Sequence, residues 1–299
     1  MEYDLMDAGG VSACAPDAPD YRDMTLDSDE AETLLRYIKH VDDGVNEAFV
    51  IEGMPLKREL TLRGSAADAC CSLLEYYRSI YLGDTQPLSR SFLHSTTAML
   101  NAAVGLEGVS LRTVLNCVRR CGIPPQSLVT ALERRGGQAV DTPLCYQFND
   151  YANDLFYCRI DPTNYRKALS ELKVLLRAGI PCLFSMSITA STVYDRSGSE
   201  NKPIKGSVEV FGRFDGVLGL RAGVLCGFSD EVCIDHLGSL RFFGPFGSDW
   251  GDEGLGWMSY SMLQRRMIAD IWVPMSRSWL AEMTAPYPCL ATSGSHKIP

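Results

Sequence analysis

The hydrophobic positions of the chain follow a helical repeat in its first half and strand-like runs in its second half. From Ala66 to Leu82, apolar residues stand at positions 66, 70, 73, 74, 77 and 81, which is the spacing of one helix face. Ser65 is well placed to cap this helix, and Gly83 is well placed to end it. The spacing therefore predicts a helix over 66–82, the strongest helical signal in the sequence.

Other segments add helices around this one and strands after it. Helical patterns with suitable caps or breakers occur at 28–41, 87–102, 110–122 and 161–179. Strand-like runs, which are rich in β-branched and aromatic residues, occur at 48–53, 181–188, 221–228, 231–237, 239–246 and 268–274.

This order of elements predicts an α+β fold with two lobes, because most helices precede most strands. We expect a helical lobe over about 58–150 and a β lobe over about 151–275. Residues 1–57 are expected to form an acidic N-terminal extension, extended or poorly ordered over 1–30. Residues 276–299 are expected to form a loop-like C-terminal tail.

Negative charge is concentrated at the amino-terminal end. The 299 residues have a formal net charge of −9, yet residues 1–57 alone contain 14 Asp and Glu against 4 Lys and Arg, a net of −10. Such a segment argues against binding to nucleic acid phosphates. It is either a solvated arm or a contact for a basic partner surface.

The composition is that of a globular protein, with 46% apolar and 22% charged residues. No apolar run reaches the roughly 20 residues that span a bilayer, and the start lacks a signal-peptide pattern. We therefore expect a protein without a membrane span, located in the cytoplasm or in a particle such as a virion.

The eleven cysteines are expected to be mainly buried free thiols. Their number is odd, their spacing is irregular and no secretory signal accompanies them, which argues against a disulfide framework. Cys117 and Cys121 stand one helical turn apart, but no second Cys or His pair at ligand spacing accompanies them. We expect neither a metal site nor a cofactor.

Several motifs between about residues 57 and 275 point to one family. Trp-Gly-Asp-x-Gly-x-Gly stands at 250–256, GSAADACCSLLEYY at 64–77 and GLRAGVLCGFSDE at 219–231. Together they resemble the papain-like cysteine peptidases, in particular the shorter branch found in microbes and large DNA viruses. The resemblance implies a two-lobed fold with a helical left lobe and an antiparallel, β-barrel-like right lobe.

The resemblance assigns roles to four positions, and each carries a different residue type here. The family nucleophile follows Gly-Ser directly, which gives Ala66. The family His stands six residues before a Gly-aromatic pair, which gives Arg221, and the family Asn corresponds to Gly244. The oxyanion Gln would fall at Glu59 or Leu60.

These replacements remove the chemistry of a thiol peptidase, which needs a thiolate, an imidazole that activates it and a side chain that orients the imidazole. Ala66 has no nucleophile, Arg221 stays protonated and cannot act as a general base, and Gly244 has no side chain. We therefore expect a catalytically inactive member of the family and not an enzyme.

A relocated thiol site is the alternative. Cys70 lies four residues after Ala66 on the same helix face, about 6 Å further along the axis, and Cys71 points elsewhere. A site there would need a new base. The histidines, each more often a surface or core residue than a catalyst, are His40, His94, His236 and His296.

A cleft without catalysis can still bind an extended segment by strand addition. The candidate cleft residues are Ser65, Arg221, Phe246 and Trp250. Arg221 would place a fixed positive charge in the cleft. That charge pairs either with a carboxylate of a bound chain, such as the acidic segment at 1–30, or with an internal acid in a filled cleft.

Two functions of different classes follow. The first is a non-catalytic structural or protein-binding component, in concrete form a virion or minor capsid protein of a large DNA virus, with protein partners. The second is a cysteine peptidase or other thiol enzyme with a relocated nucleophile. Regulation, in which the fold binds substrates or inhibitors of an active relative, is a weaker third hypothesis.

Overall fold

The computed structural model describes residues 14–41, 47–54, 64–103, 109–189, 206–208, 216–244 and 250–285. The helices are α1 (Glu32–Val41), α2 (Ser65–Leu82), α3 (Arg90–Ala103), α4 (Leu111–Cys121), α5 (Gln126–Glu133), α6 (Tyr165–Arg177), α7 (Ser261–Gln264) and α8 (Arg277–Thr284). The strands are β1 (Ala48–Val50), β2 (Leu155–Ile160), β3 (Cys182–Thr189), β4 (Ser207–Val208), β5 (Val217–Ile234), β6 (Leu237–Phe243), β7 (Leu255–Ser259) and β8 (Ile268–Ser276). This succession confirms the predicted α+β class.

The strands form an eight-stranded sheet in the order β2-β8-β3-β5-β6-β7-β4, with β1 beside β5. Neighbouring strands in the described part are antiparallel, apart from the parallel pair β4 and β7. β5 replaces the two separate strands predicted at 221–228 and 231–237. Irregularities in its pairing with β6, near Cys226 and after Ser229, bend one continuous strand without ending it.

The buried helix α2 packs on β5 and positions the candidate site. Residues 65–77 of α2 are all buried, including two carboxylates. Arg90 of α3 donates to both carboxylate oxygens of Glu75 at 3.0 Å and to the Ser72 hydroxyl at 3.0 Å. This ion pair fixes α3 to α2, because a buried carboxylate without partners would be costly. In the described part, no helix is long and apolar enough to cross a membrane.

Two of the predicted helix ends are confirmed, and one predicted cap is wrong. Gly83 ends α2 in the left-handed conformation, with φ of 63°. Ser110 caps α4 by accepting a hydrogen bond from the Thr113 N–H at 3.3 Å. Ser65, however, is the first helical residue of α2, and the N-cap position belongs to Gly64.

The N-terminal extension packs onto the body of the protein. Residues 14–25, here called the arm, are extended as predicted apart from a turn at 21–22, and Cys14 and Asp17 are buried within the fold. Further along, α1 packs on α6 and α8, and β1 pairs with residues 227–229 of β5. The expectation of poor order is therefore wrong for 14–30, while residues 1–13 lie outside the described residues.

The C-terminal tail begins with a helix that the sequence analysis missed. Ser276 caps α8 by accepting from the Trp279 N–H at 3.3 Å, and the Trp279 ring stacks on Tyr77 with centroids 4.7 Å apart. The loop-like prediction is therefore wrong for 277–284, because α8 buries an apolar face against α2. Residues 286–299 lie outside the described residues.

Candidate functional site

The start of α2, the middle of β5 and the end of β6 meet at a shallow depression. It is lined by Ser65, Asp68, Ala69, Ala222, Gly223, Phe243 and Gly244. The Ala222 N–H donates to the Ser65 hydroxyl oxygen at 3.2 Å, which joins β5 directly to α2. The structure thus brings together the immediate neighbourhoods of Ala66, Arg221 and Gly244, the positions that the resemblance grouped.

None of the described residues that line the depression carries a thiol, an imidazole or a carboxamide. Asp68 supplies a buried carboxylate whose Oδ1 lies 3.8 Å from the Arg90 Nε. Gly223 is confined to glycine, because a Cβ there would lie 2.6 Å from the Phe243 carbonyl oxygen. The depression therefore offers a hydroxyl that binds a backbone N–H and a carboxylate beside a guanidinium.

Arg221 adds a fixed positive charge next to the depression. It lies on β5 opposite Met186 of β3 and is 8% exposed. Burial lowers the pKa of its guanidinium, and the neighbouring Cys14 acts in the opposite direction. Because arginine keeps its proton in proteins, Arg221 cannot accept one from a nucleophile.

Trp250, a predicted cleft residue, lies inside the β half of the fold. Its side chain is 3% exposed, and Gly256 is so close that a Cβ there would approach the indole ring at 2.5 Å. Trp250 therefore has a packing role, and a ligand contact by it stays a prediction. Phe246, Glu59 and Leu60 lie outside the described residues.

The arm lies beside the depression and bridges the helical and β halves. Cys14 pairs in antiparallel fashion with Leu220, the residue before Arg221 on β5. The next residue, Ala15, donates its N–H to the Val109 carbonyl at 3.0 Å, just ahead of α4. Main-chain contacts to two facing walls are how grooves hold an extended peptide.

Asp17 anchors the arm with both its side chain and its backbone. Its Oδ2 accepts from the Trp272 Nε1 at 2.9 Å and from the Arg112 backbone N–H at 3.1 Å. Its N–H donates to the Asp270 Oδ2 at 3.0 Å, and its carbonyl accepts from the Arg159 guanidinium at 3.3 Å. A residue of the acidic N-terminal segment is therefore bound inside the protein.

The guanidinium groups of Arg112 and Arg159 hold the following part of the arm. Arg112 donates to the Ala18 carbonyl at 2.7 Å and to the Asp23 carboxylate at 2.6 Å. Arg159 donates to the same carboxylate at 3.2 Å and to the Asp270 Oδ1 at 3.1 Å. The basic surface that the acidic arm contacts thus belongs to the same chain.

Burial raises the pKa values of two groups where the arm packs on the fold, Asp270 of β8 and Cys14 of the arm itself. For Asp270, which is 1% exposed, burial is the main cause and the charge of Asp17 is the next. For the Cys14 thiol, burial is again the main cause, followed by the charges of Asp270 and Asp17. Cys14 is therefore a protonated thiol and not a thiolate nucleophile.

Cys70 and Cys71, the candidates for a relocated nucleophile, are fully buried in α2. Burial raises the pKa of Cys70 to about 12 and is the main cause that raises the pKa of Cys71. The described imidazoles lie on α1, on α3 and in the β5–β6 turn, at His40, His94 and His236. His236 occupies that turn with φ of 64° and not the strand expected of it, and His296 lies outside the described residues.

Cys121 is a described thiol whose pKa is lowered, and it does not line the depression. It ends α4, one turn after Cys117, and is partly exposed. A hydrogen bond from Cys117 lowers the pKa of Cys121 to about 7, and the charge of Arg120 adds to this effect. No group of three or more metal-binding side chains occurs among the residues described.

Solved structures of cysteine proteases share this architecture. Xylellain, a cysteine protease from Xylella fastidiosa, matches with a TM-score of 0.67 at 18% identity, over 89% of this chain and 95% of that chain. Procathepsin B S9 from Trypanosoma congolense matches with a TM-score of 0.58 at 11% identity, over 90% and 87% of the two chains. The ragweed cysteine protease Amb a 11, in its proform, matches with a TM-score of 0.53 at 12% identity, over 77% and 65%.

No protein-family model matches the sequence, and no curated protein matches it either. The structural likeness agrees with the helix–sheet arrangement that the Trp-Gly-Asp-x-Gly-x-Gly and Gly-Ser motifs imply. The chain therefore has the fold of the papain-like cysteine proteases.

Proposed function

We propose that the protein is a non-catalytic relative of the papain-like proteases that acts as a protein-binding or structural component. One juxtaposition supports this proposal most strongly. Beside the start of α2, where the resemblance expects a Cys and a His, stand Ala66 and Arg221, and an extended segment of the same chain runs next to them.

Peptide hydrolysis in this fold requires a thiolate and a group that accepts its proton. The thiols of the arm and of α2, Cys14, Cys70 and Cys71, all have raised pKa values because they are buried. Arg221 holds its own proton. On this proposal, the described residues beside the start of α2 keep the backbone groups that bind a chain but include neither an attacking thiolate nor a group that activates one.

The same walls are suited to binding a peptide. The arm uses the edge of β5 at Leu220 and the carbonyl of Val109, which are backbone groups available to any extended chain. Strand addition of this kind takes its affinity from main-chain bonds and its selectivity from side-chain pockets. We call the place where the arm lies, between Leu220 of β5 and Val109, the groove. Protein binding is therefore the activity that the groove retains.

An electrophilic thiol probe tests the proposal. The folded wild type is treated with iodoacetamide at pH 7, and modified residues are mapped by peptide mass spectrometry. We expect Cys14, Cys70 and Cys71 to stay unmodified until the protein is unfolded. A matched variant that carries Ala66→Cys, Arg221→His and Gly244→Asn should gain labelling at position 66. Rapid labelling of a thiol beside the groove in the folded wild type would contradict the proposal.

In its concrete form, the proposal places the protein in an assembled particle, as a virion or minor capsid component of a large DNA virus. This version rests on the resemblance to the branch found in such viruses. Purification of the native complex, with subunit stoichiometry measured by mass photometry, tests it. A fixed stoichiometry with another particle protein is expected, and a monomer throughout would contradict it.

A thiol enzyme with a relocated nucleophile is the second candidate, and Cys121 is the observation that favours it. The lowered pKa and the partial exposure of this residue favour its thiolate form near neutral pH. Comparing any thiol-dependent activity of the wild type with that of Cys121→Ser decides the matter. Activity that disappears in the variant supports the second candidate, and its absence from both proteins supports the first.

A further inference from the structure

The place where Asp17 binds is a built recognition site for one residue type. We call it the aspartate site and define it by Arg112, Arg159, Asp270 and Trp272. Trp272 and Asp270 are almost completely buried, so their orientation is fixed by packing. The site belongs to α4, β2 and β8, and the arm only supplies its occupant.

The hydrogen-bond pattern of the site specifies the chemistry of the occupant. Two donors, the Trp272 Nε1 and the Arg112 N–H, converge on one carboxylate oxygen at 2.9 and 3.1 Å. An acceptor, the Asp270 Oδ2, receives the backbone N–H of the same residue at 3.0 Å. A residue must therefore present a carboxylate and its own N–H together, which the short side chain of aspartate does.

The chain contains an internal control for this selectivity. Ala-Pro-Asp occurs twice in succession, at 15–17 and 18–20. The first Asp fills the aspartate site, whereas Asp20 lies outside it and forms an ion pair with Arg22 at 2.6 Å. The position of the aspartate relative to the β5 edge, and not the tripeptide alone, therefore decides which residue is bound.

Several of the contacts that hold the occupant are ones that a second chain can also supply. Cys14 and Ala15 use backbone pairing, and Asp17 uses hydrogen bonds. The side chains of Pro16 and Ala18 are exposed, so the site places no demand on them. The arm thus lies in the fold like a tethered ligand, and the buried side chains that it contributes are those of Cys14 and Asp17.

We infer that the aspartate site binds an extended acidic segment of a partner protein, with an aspartate three residues after the residue that pairs with Leu220, in exchange for the arm. This inference rests on the proposed function, because a hydrolytic groove would cut the segment. The guanidinium groups of Arg112 and Arg159, which belong to the site, favour an acidic segment over a neutral or basic one.

Fluorescence anisotropy with labelled peptides of residues 12–26 tests the inference. The binding protein is the full chain with Asp17→Ala, which weakens the attachment of its own arm. If this variant does not fold, the full chain with Ala15→Pro takes its place, because proline removes the N–H that bonds to Val109. We expect the native peptide to bind at least about tenfold more tightly than a peptide with Asp17→Ala, because two hydrogen bonds to a carboxylate are lost. A peptide with Asp20→Ala should bind like the native one.

Competition by the tethered arm provides the second readout. The wild-type chain should bind the native peptide at least about tenfold more weakly than the arm-weakened chain, because its own arm occupies the groove at high effective concentration. Equal binding of the Asp17→Ala and Asp20→Ala peptides would overturn the inference. Dimers that form by arm exchange, without peptide binding, would overturn it too and would assign the groove to a second copy.

The mass of the bound peptide separates this inference from the proposed function. An intact peptide that binds without selectivity at Asp17 refutes the aspartate site and leaves the non-catalytic proposal standing. A cleaved peptide refutes the non-catalytic proposal itself.

Discussion

Replacement of Asp17 by alanine should detach the arm and destabilise the protein by about 2–4 kcal/mol, as estimated from hydrogen bonds to a charged group. The substitution removes the acceptor of the Trp272 Nε1 and of the Arg112 N–H, at 2.9 and 3.1 Å. The indole is fully buried, so its N–H would lose its partner away from water. Relief of the repulsion between Asp17 and Asp270 offsets part of this loss.

Urea unfolding followed by circular dichroism measures the stability, and hydrogen exchange over residues 14–25 measures the release of the arm. Asp20→Ala is the matched control, because Asp20 bonds only to neighbouring residues of the arm in the described structure. We expect a lower unfolding midpoint and faster exchange for Asp17→Ala, and neither change for Asp20→Ala. Indistinguishable midpoints and exchange rates for the two variants would refute the reasoning.

Three further outcomes follow from the structure. Because the pKa of Asp270 is raised above its ordinary 3.8, the folded state binds that proton more tightly, so stability should fall as pH rises from 3.8 through the folded pKa. Asp270→Asn should flatten this part of the curve of melting temperature against pH. An unchanged slope would contradict the prediction. Cys117→Ala should raise the pH at which Cys121 alkylation reaches half its maximal rate, from near 7 toward the ordinary 9.0, as followed by mass spectrometry. An unchanged pH profile would exclude the hydrogen bond as the cause of the lowered pKa. Gly256→Ala should cost about 1–3 kcal/mol in chemical denaturation, because a Cβ would press on the Trp250 ring at 2.5 Å; a wild-type midpoint would contradict it.

The fold was predictable where the sequence pattern is local and long. The apolar spacing from Ala66 to Leu82 predicted α2, and the glycine that follows predicted its end. The short strand β7 and the short helix α5 were missed, because each is too short to show a clear period in the sequence. The helix α8 was missed although Trp279, Leu280 and Met283 form a buried face, since a short amphipathic pattern near a chain end is a weak signal.

The candidate site was predictable only in part. The motifs brought Ala66, Arg221 and Gly244 to one neighbourhood, and the hydrogen bond between Ala222 and Ser65 agrees with that grouping. Binding of Asp17 could not be foreseen, because its partner Trp272 is 255 positions away and no local pattern links the two. High acid content predicted either a solvated arm or a contact for a basic partner surface, whereas the basic groups that the arm contacts are spread over α4 and β2 of the same chain.

The central claim is that the groove binds a chain and does not cut one. The most direct test incubates the purified protein with a degenerate peptide library and counts new peptide termini by mass spectrometry, for the wild type and for Asp17→Ala, whose arm is weakened. We predict no cleavage above the buffer control for either protein. Cleavage that withstands repurification and is abolished by iodoacetamide would contradict the account.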